Sequence, residues 1–180
     1  MSLDGNVYMW LVESGQKIKS LHQLHGANAE MTNMEFDESF TKLYTAGNDG
    51  SVKIWDLNGY CANSLITNDG QNCEISQILA LKRRIIAVGW QKSIAVFREN
   101  EFKDQNVYPS KWEGKESHED DILCCTAMKS APLLLATGSF DGEIVIWNSS
   151  TEFANKHLDC RKRDSSPKKE VKIIKYSTSP

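Results

Sequence analysis

One short segment recurs along this chain, and its recurrence constrains the fold more than any other feature. Residues 43–56 hold two apolar runs joined by an Asn-Asp-Gly turn at residues 48–50. Asn, Asp and Gly tolerate the positive φ angles of tight turns, so this pattern predicts a β-hairpin. Residues 135–148 repeat it almost position for position, residues 4–10 repeat its second half, and residues 85–97 form a degraded copy. The sequence therefore predicts a repeated β-sheet unit.

The copies of the turn are evenly spaced. Their turn residues are Asp4, Asp49, Gln91 and Asp141, which are separated by 45, 42 and 50 residues. A period in the forties, with a Gly-containing hairpin that ends in Trp, is typical of the blades of a β-propeller. The third interval is longer than usual and predicts an insertion before the last copy.

The repeated segment resembles the WD-repeat family. In two copies the Trp is followed by an acidic or amide residue, at Trp55-Asp56 and Trp147-Asn148, and the resemblance covers most of residues 1–158. It implies an all-β fold of four-stranded propeller blades and a non-catalytic scaffold that mediates protein–protein interactions. Because propellers close with about four to eight blades, about three and a half blades predict part of a larger propeller.

The repeat divides the chain into five expected parts. They are a partial blade (third and outer strands) at 1–22, a blade at 30–67, a degenerate blade with an insertion at 73–117, a blade at 118–158, and a basic linker or tail at 159–180.

The resemblance also implies a buried hydrogen-bond network in each blade, made by a His, a Ser or Thr, the turn Asp and the Trp. The matching residues are His118, Thr137, Asp141 and Trp147 in the 118–158 blade, His25, Thr45, Asp49 and Trp55 in the 30–67 blade, and Asp4 and Trp10 in the partial blade. The 73–117 blade has Gln91 and Phe97 at the turn and Trp positions and keeps none of the polar set. We expect the carboxylate to accept bonds from the imidazole and the turn amides, and the indole N–H to reach the hydroxyl.

His, Asp and Ser or Thr are also the residue types of a catalytic triad, but their periodic recurrence favours a structural role. The run His118-Glu119-Asp120-Asp121 contains metal-ligand types, yet consecutive residues of an extended run point alternately to opposite faces and converge poorly on one ion. The sequence contains no P-loop, zinc-protease or nucleophile-elbow motif. It therefore predicts no enzyme activity, no catalytic residue, no metal, no cofactor and no small-molecule substrate.

The resemblance places partner binding on loops that precede inner strands, where Asn28, Glu119 and Asp120 lie. The alternative is a phosphopeptide- or acidic-partner-reading module that uses the basic tail, since residues 156–175 contain eight Lys or Arg and three Asp or Glu. The short basic run Lys82-Arg83-Arg84 falls in a predicted inner turn. We expect protein partners and no nucleic acid.

Composition bears mainly on location. The chain has no apolar run near the ~18 residues of a membrane span and no signal-peptide pattern at its start. Its five cysteines are odd in number and form no C-x-x-C pair, which favours reduced thiols and a cytoplasmic location. Residues 118–124 and 141–148 are also similar to a subgroup of large WD-repeat proteins linked to cilia and sperm flagella. That similarity implies an axonemal location.

Overall fold

The fold is built from antiparallel sheets. The computed structural model describes residues 5–26, 29–67, 73–99, 107–112, 117–159 and 170–175. Within these ranges fourteen strands form one two-stranded sheet and three four-stranded sheets. The predicted all-β class and the propeller-blade architecture are confirmed.

Within each sheet, consecutive strands are hydrogen-bonded neighbours. We refer to the two-stranded sheet as the partial blade and to the others, in chain order, as the first, second and third blades. The partial blade has β1 (Val7–Trp10) and β2 (Lys17–Leu21). The first blade has β3 (Met31–Phe36), β4 (Lys42–Gly47), β5 (Ser51–Asp56) and β6 (Cys61–Ile66), and the second has β7 (Ile75–Leu81), β8 (Arg84–Gly89), β9 (Ile94–Arg98) and β10 (Ser110–Trp112). The third blade has β11 (Ile122–Ala127), β12 (Leu134–Ser139), β13 (Glu143–Asn148) and β14 (Phe153–Asp159).

The predicted hairpin turn joins β4 to β5. Leu43 lies opposite Trp55 in this pair, and Leu135 lies opposite Trp147 in the matching pair β12–β13. The glycine of each turn has a positive φ, +74° at Gly50 and +89° at Gly142. Glycine adopts this conformation without the steric penalty of a Cβ atom, so the turn sequence fixes the register of the hairpin.

The core lies between successive sheets. One cluster joins the first and second blades through Ile54, Ile78 and Phe97, and another joins the second and third through Val96 and Leu135. All five side chains are at most 2% exposed. Because each central sheet is covered on both faces, its third strand is apolar on both faces, as expected for stacked blades.

The outer strand of the second blade contributes an unexpected core residue. The sequence predicts an outer strand followed by an insertion within residues 99–117, but β10 occupies only residues 110–112, near the end of that interval. Trp112 in β10 is 2% exposed, and its ring centroid lies 6.2 Å from that of Trp147. A short strand thus anchors the contact between the second and third blades.

Candidate functional site

The first blade holds a buried chain of hydrogen bonds. Trp55 Nε1 donates to Thr45 Oγ1 at 2.9 Å, and Thr45 Oγ1 lies 2.8 Å from His25 Nε2. His25 Nδ1 lies 3.0 Å from Ser51 Oγ, which donates to Asp49 Oδ1 at 2.8 Å. A hydroxyl that donates to a carboxylate must accept from its other partner, so His25 Nδ1 carries the proton and Nε2 accepts from Thr45. In every hydrogen bond of this series the donor lies on the indole side and the acceptor on the carboxylate side.

The third blade repeats the buried end of this chain. Trp147 Nε1 donates to Thr137 Oγ1 at 2.8 Å, and His118 Nε2 lies 2.7 Å from the same oxygen. All three residues are at most 2% exposed. Thr137 and Trp147 lie on the neighbouring strands β12 and β13, and His118 precedes β11, so the contact ties a loop to two strands.

The carboxylate end of the network differs from the expected bonding. In the first blade Asp49 Oδ1 is 3.4 Å from His25 Nδ1, and the shorter path runs through Ser51. In the third blade the residue after the turn glycine is Glu143 instead of Ser. Glu143 Oε2 lies 3.5 Å from His118 Nδ1, an electrostatic contact beyond a well-formed hydrogen bond. Neither Ser51 nor Glu143 is predicted from the sequence to contact a network histidine.

Asp141 serves the turn of the third blade. It is 3% exposed and accepts hydrogen bonds from the Ser139 hydroxyl and, at 3.3 Å, from the Glu143 backbone N–H. Its charge also acts on the nearby His118 imidazole. The turn carboxylate therefore satisfies a hydroxyl and an amide that are shielded from water.

The second blade replaces the polar network by apolar packing. Phe97 pairs with Ile85 in the second blade as Trp147 pairs with Leu135 in the third, so Phe97 takes the position of the Trp. By the same alignment, Ala87 takes the position of Thr137. Phe97 and Ala87 are both fully buried. Because the indole donor and the hydroxyl acceptor are lost together, their replacement leaves neither group unpaired.

The remaining candidate residues lie apart from these networks. We expected Trp10, at the end of β1, to be buried in such a network, but it is 57% exposed. Asp4 and Asn28 fall outside the described residues. Glu119 is exposed and Asp120 is half-buried, both on the loop before β11.

Burial lowers the pKa of the His25 and His118 imidazoles below their usual range, although Asp49 and Glu143 oppose the shift. Both histidines therefore stay neutral near pH 7, in agreement with the direction of the hydrogen bonds.

This shift predicts a loss of stability in weak acid. A histidine whose pKa is depressed by folding takes up its proton more readily when unfolded, so stability is full above the unfolded pKa of about 6.5 and declines below it. We expect the melting temperature to fall between pH 7.5 and pH 5.5, a window that lies above the ordinary titration of carboxylates. Calorimetry across this window measures the slope, and a melting temperature that stays level or rises would contradict the assignment.

The blade ends that carry the β-turns form a candidate binding surface. Phe140 N donates to Asp121 O at 2.9 Å, and Ile122 N donates to Gln91 O at 3.2 Å. These bonds join the loop before β11 to Phe140 of the third blade and to Gln91 of the second. Trp90 is the residue next to Gln91. Trp90 is 59% exposed and Phe140 is 46% exposed.

Acidic residues occupy the loop that these backbone bonds join to the two blades. They are Glu119, Asp120 and Asp121 on the loop before β11. Partial burial and the neighbouring Asp120 charge raise the pKa of the Asp121 carboxyl, although the Lys92 ammonium opposes the shift. We define the loop rim as Trp90, Glu119, Asp120, Asp121 and Phe140.

A second surface, the basic cavity, lies between the second and third blades. It encloses about 380 Å³ and is lined in part by Lys82, Arg83, Arg84 and Arg98. Glu152 Oε1 lies 2.6 Å from Arg98 Nη2 and 3.8 Å from Arg84 Nη1. Glu152 thus pairs with two of the four cations, and Glu38 Oε1 accepts a hydrogen bond from the Lys82 backbone N–H at 2.8 Å.

The described part of the chain can also be assessed for metal-binding groups and for membrane-spanning helices. Within it, no group of three or more His, Cys, Asp or Glu side chains is placed to hold a metal ion. Among the same residues, no helix has the length and apolar character needed to cross a membrane.

Two segments of the chain match a known repeat family. The family described as "WD domain, G-beta repeat" matches residues 18–56 and 113–148. The chain is 34% identical over 122 residues to a "WD repeat-containing protein on Y chromosome" of Anopheles gambiae, covering 68% of this chain and 11% of that protein. It is 28% identical over 158 residues to the protein of the same description in Drosophila pseudoobscura pseudoobscura, covering 83% of this chain and 14% of that protein. The chain therefore spans a small part of these relatives.

Solved structures share the fold. A chain of the "Crystal Structure of Mitotic Checkpoint Complex" aligns with a TM-score of 0.71 and 15% identity, covering 86% of this chain and 44% of that one. The computationally designed Ika8 protein aligns with a TM-score of 0.69 and 19% identity, covering 98% of this chain and 48% of that one. Together with the four-stranded blades and the repeat matches, these similarities show that the chain belongs to the WD-repeat family and folds as blades of a β-propeller.

Proposed function

We propose that this chain is a non-catalytic scaffold that binds protein partners through its loop rim. WD-repeat proteins generally act as interaction scaffolds. The observation that supports this role here is the burial of the recurring polar residues. The hydroxyl and imidazole groups of Thr45, Thr137, His25 and His118 face one another at most 6% exposed, so they hold the blades and do not face a substrate.

The loop rim has the composition of a protein-binding surface. Exposed aromatic side chains such as Trp90 and Phe140 bury a large area at a low entropic cost and often anchor interfaces. The adjacent carboxylates of Glu119 and Asp120 favour a partner that carries basic residues, because complementary charge speeds encounter and excludes acidic competitors. The proposed partner is therefore a protein surface with cationic and apolar side chains.

Charge reversal of the loop rim tests this proposal. We expect the double variant Glu119→Lys with Asp120→Lys to reduce the recovery of wild-type partners by about tenfold or more, which corresponds to about 1.4 kcal/mol. Recovery is measured by quantitative mass spectrometry after capture on the immobilised chain. Circular dichroism of the variant should match that of the wild type, because these side chains lie on a loop.

The matched control is Glu13→Lys, which reverses one exposed charge on the partial blade. It should leave the recovered proteins unchanged. If the loop-rim variant also retains them at wild-type amounts, binding takes place elsewhere.

The basic cavity supports a second candidate function, the binding of phosphopeptides or other acidic partners. The observation behind it is the grouping of four cationic side chains around the cavity, Lys82, Arg83, Arg84 and Arg98, two of which pair with Glu152. Of the basic tail at 159–180, which the sequence suggests for such a partner, residues 160–169 and 176–180 lie outside the described part of the chain. In the same capture assay, Lys82→Glu with Arg83→Glu distinguishes the two candidates. Loss of partners in this variant alone would favour the basic cavity over the loop rim.

We propose a cytoplasmic location and, more specifically, a place in a ciliary or flagellar assembly. The cysteines Cys61, Cys124 and Cys125 are free thiols, which suits a reducing compartment. The axonemal part rests on the resemblance of residues 118–124 and 141–148. Immunolocalisation in flagellated cells tests it, and a signal that is absent from the axoneme would contradict it.

A further inference from the structure

A short segment near the end of the sequence packs on the third blade. Val171 N donates to Ser139 O at 3.2 Å, and Cys124 Sγ lies 3.2 Å from Val171 O. A Cβ atom added to Gly138 would lie 2.5 Å from Val171 Cγ1 and 3.0 Å from Ile174 Cδ1. Residues 170–175 are therefore seated closely against β11 and β12.

The first strands of neighbouring blades make equivalent contacts. The Thr32 hydroxyl of β3 donates to Ile75 O of β7, and Ser76 Oγ of β7 donates to Ile122 O of β11. In both cases the hydroxyl lies on the first strand of one blade. The carbonyl belongs to the residue that begins the first strand of the following blade. Cys124 of β11 makes a thiol contact with Val171 O, from a position one residue further along its strand than Thr32 and Ser76 are along theirs.

Backbone contacts tie each of these residues to the preceding blade. Ile122 N, at the start of β11, donates to Gln91 O, two residues beyond the end of the second strand of the second blade. Val171 N donates to Ser139 O, the last residue of the second strand of the third blade. Val171 therefore contacts the same end of the second strand as Ile122 does in the preceding blade, displaced by two residues.

The sequence of the segment fits this position. The first residue of each first strand is preceded by an acidic residue, and the same is true of Val171. These pairs are Glu30-Met31, Glu74-Ile75, Asp121-Ile122 and Glu170-Val171. The apolar residues of the pairs are separated by 44, 47 and 49 residues, so Val171 falls one repeat after Ile122.

The exposure of the side chains indicates which of them face the blade. Val171 and Ile174 are half-buried, whereas Lys172 and Lys175 are exposed and Ile173 is 75% exposed. Two apolar residues of the segment therefore pack on the blade, and Ile173, of nearly the same chemistry, is largely exposed.

We propose that residues 170–175 occupy the inner-strand position of a fourth blade, and that the third blade carries an acceptor face for this strand. The acceptor face consists of Cys124, Gly138 and Ser139. Its occupant is the segment of the same chain, held by one backbone hydrogen bond, the thiol contact and the packing of Val171 and Ile174 on Gly138. Docking of the segment covers Cys124.

The accessibility of Cys124 to alkylation in the full 180-residue chain tests this proposal, with the modified site identified by mass spectrometry. A carboxylate at a half-buried packing position must lose water to dock, so Ile174→Asp should release the segment. We expect this variant to increase the alkylation rate of Cys124 by about tenfold or more, as expected for loss of a covering element. The control Ile173→Asp places the same charge on the exposed side of the segment and should change the rate by less than about twofold.

A second variant acts from the side of the blade. Gly138→Ala adds the Cβ atom that would collide with Val171, and it should raise the rate of Cys124 alkylation without a change in the segment itself. Equal rates for the wild type, Ile174→Asp and Gly138→Ala would overturn the proposal. Protection of Cys124 that weakens on dilution of the wild type would also overturn it, because the occupant would then belong to a second copy of the chain.

Discussion

Replacement of Phe97 by Ala is expected to lower the free energy of unfolding by about 3–5 kcal/mol. Phe97 is fully buried between the first and second blades, in a cluster that includes Ile54 and Ile78. The substitution removes the apolar surface of the ring and leaves a cavity that two hydrogen-bonded sheets cannot easily close. Denaturant titration followed by circular dichroism measures the change.

Phe140→Ala is the matched control for this prediction. Phe140 is 46% exposed on the loop rim, so the same truncation should change the free energy of unfolding by about 0.5 kcal/mol or less. A similar loss in both variants would mean that Phe97 does not lie in the interface between the blades.

Replacement of Thr137 by Val is expected to cost about 2–4 kcal/mol of stability. Valine keeps the shape of threonine and removes its hydroxyl, so packing changes little. The Trp147 indole N–H and the His118 Nε2 atom, both bonded to Thr137 Oγ1, would each lose a partner in a site without access to water. Thermal and denaturant melts of the variant measure the loss.

Thr126→Val makes the same chemical change at a half-buried position on the neighbouring strand β11. Because Thr126 lies outside the network, this variant should stay within about 0.5 kcal/mol of the wild type. If both valine variants lose the same stability, the buried hydroxyl of Thr137 has no special role.

The sequence was sufficient to predict the blades because local signals and the repeat agree. The Asx-Gly turns fix the hairpins, and the apolar residues on both sides of the turns require strands covered on two faces. The repeat also aligned Thr45 with Thr137 and Trp55 with Trp147, and the resemblance to the WD-repeat family implied that these residues join a buried network.

Three features depend on tertiary contacts and could not be predicted from the hairpin repeat. The residue after the turn glycine is Ser51 in one blade and Glu143 in another, so the two histidine partners share no residue type. Trp112 follows a long segment of the second blade that has no counterpart in the other blades. Val171 keeps the acidic neighbour and the spacing of the other first strands, but its short run lacks the Asx-Gly hairpin of the repeat, so the sequence predicts a linker or tail.

The central claim is that the recurring polar residues stabilise the blades and that the chain acts through its surface. Thermal melts of Asp141→Ala and Gln91→Ala, measured side by side, test it most directly. Asp141 is 3% exposed and accepts bonds from the Ser139 hydroxyl and the Glu143 amide, so its removal should cost about 2–4 kcal/mol.

Gln91 holds the equivalent turn position in the second blade, where the polar network is absent. Its backbone carbonyl keeps the bond from Ile122 N in the variant, so Gln91→Ala should cost less than about 0.5 kcal/mol. A large loss for Asp141→Ala beside a negligible loss for Gln91→Ala is the predicted result, and equal shifts in the two melting curves would contradict the account.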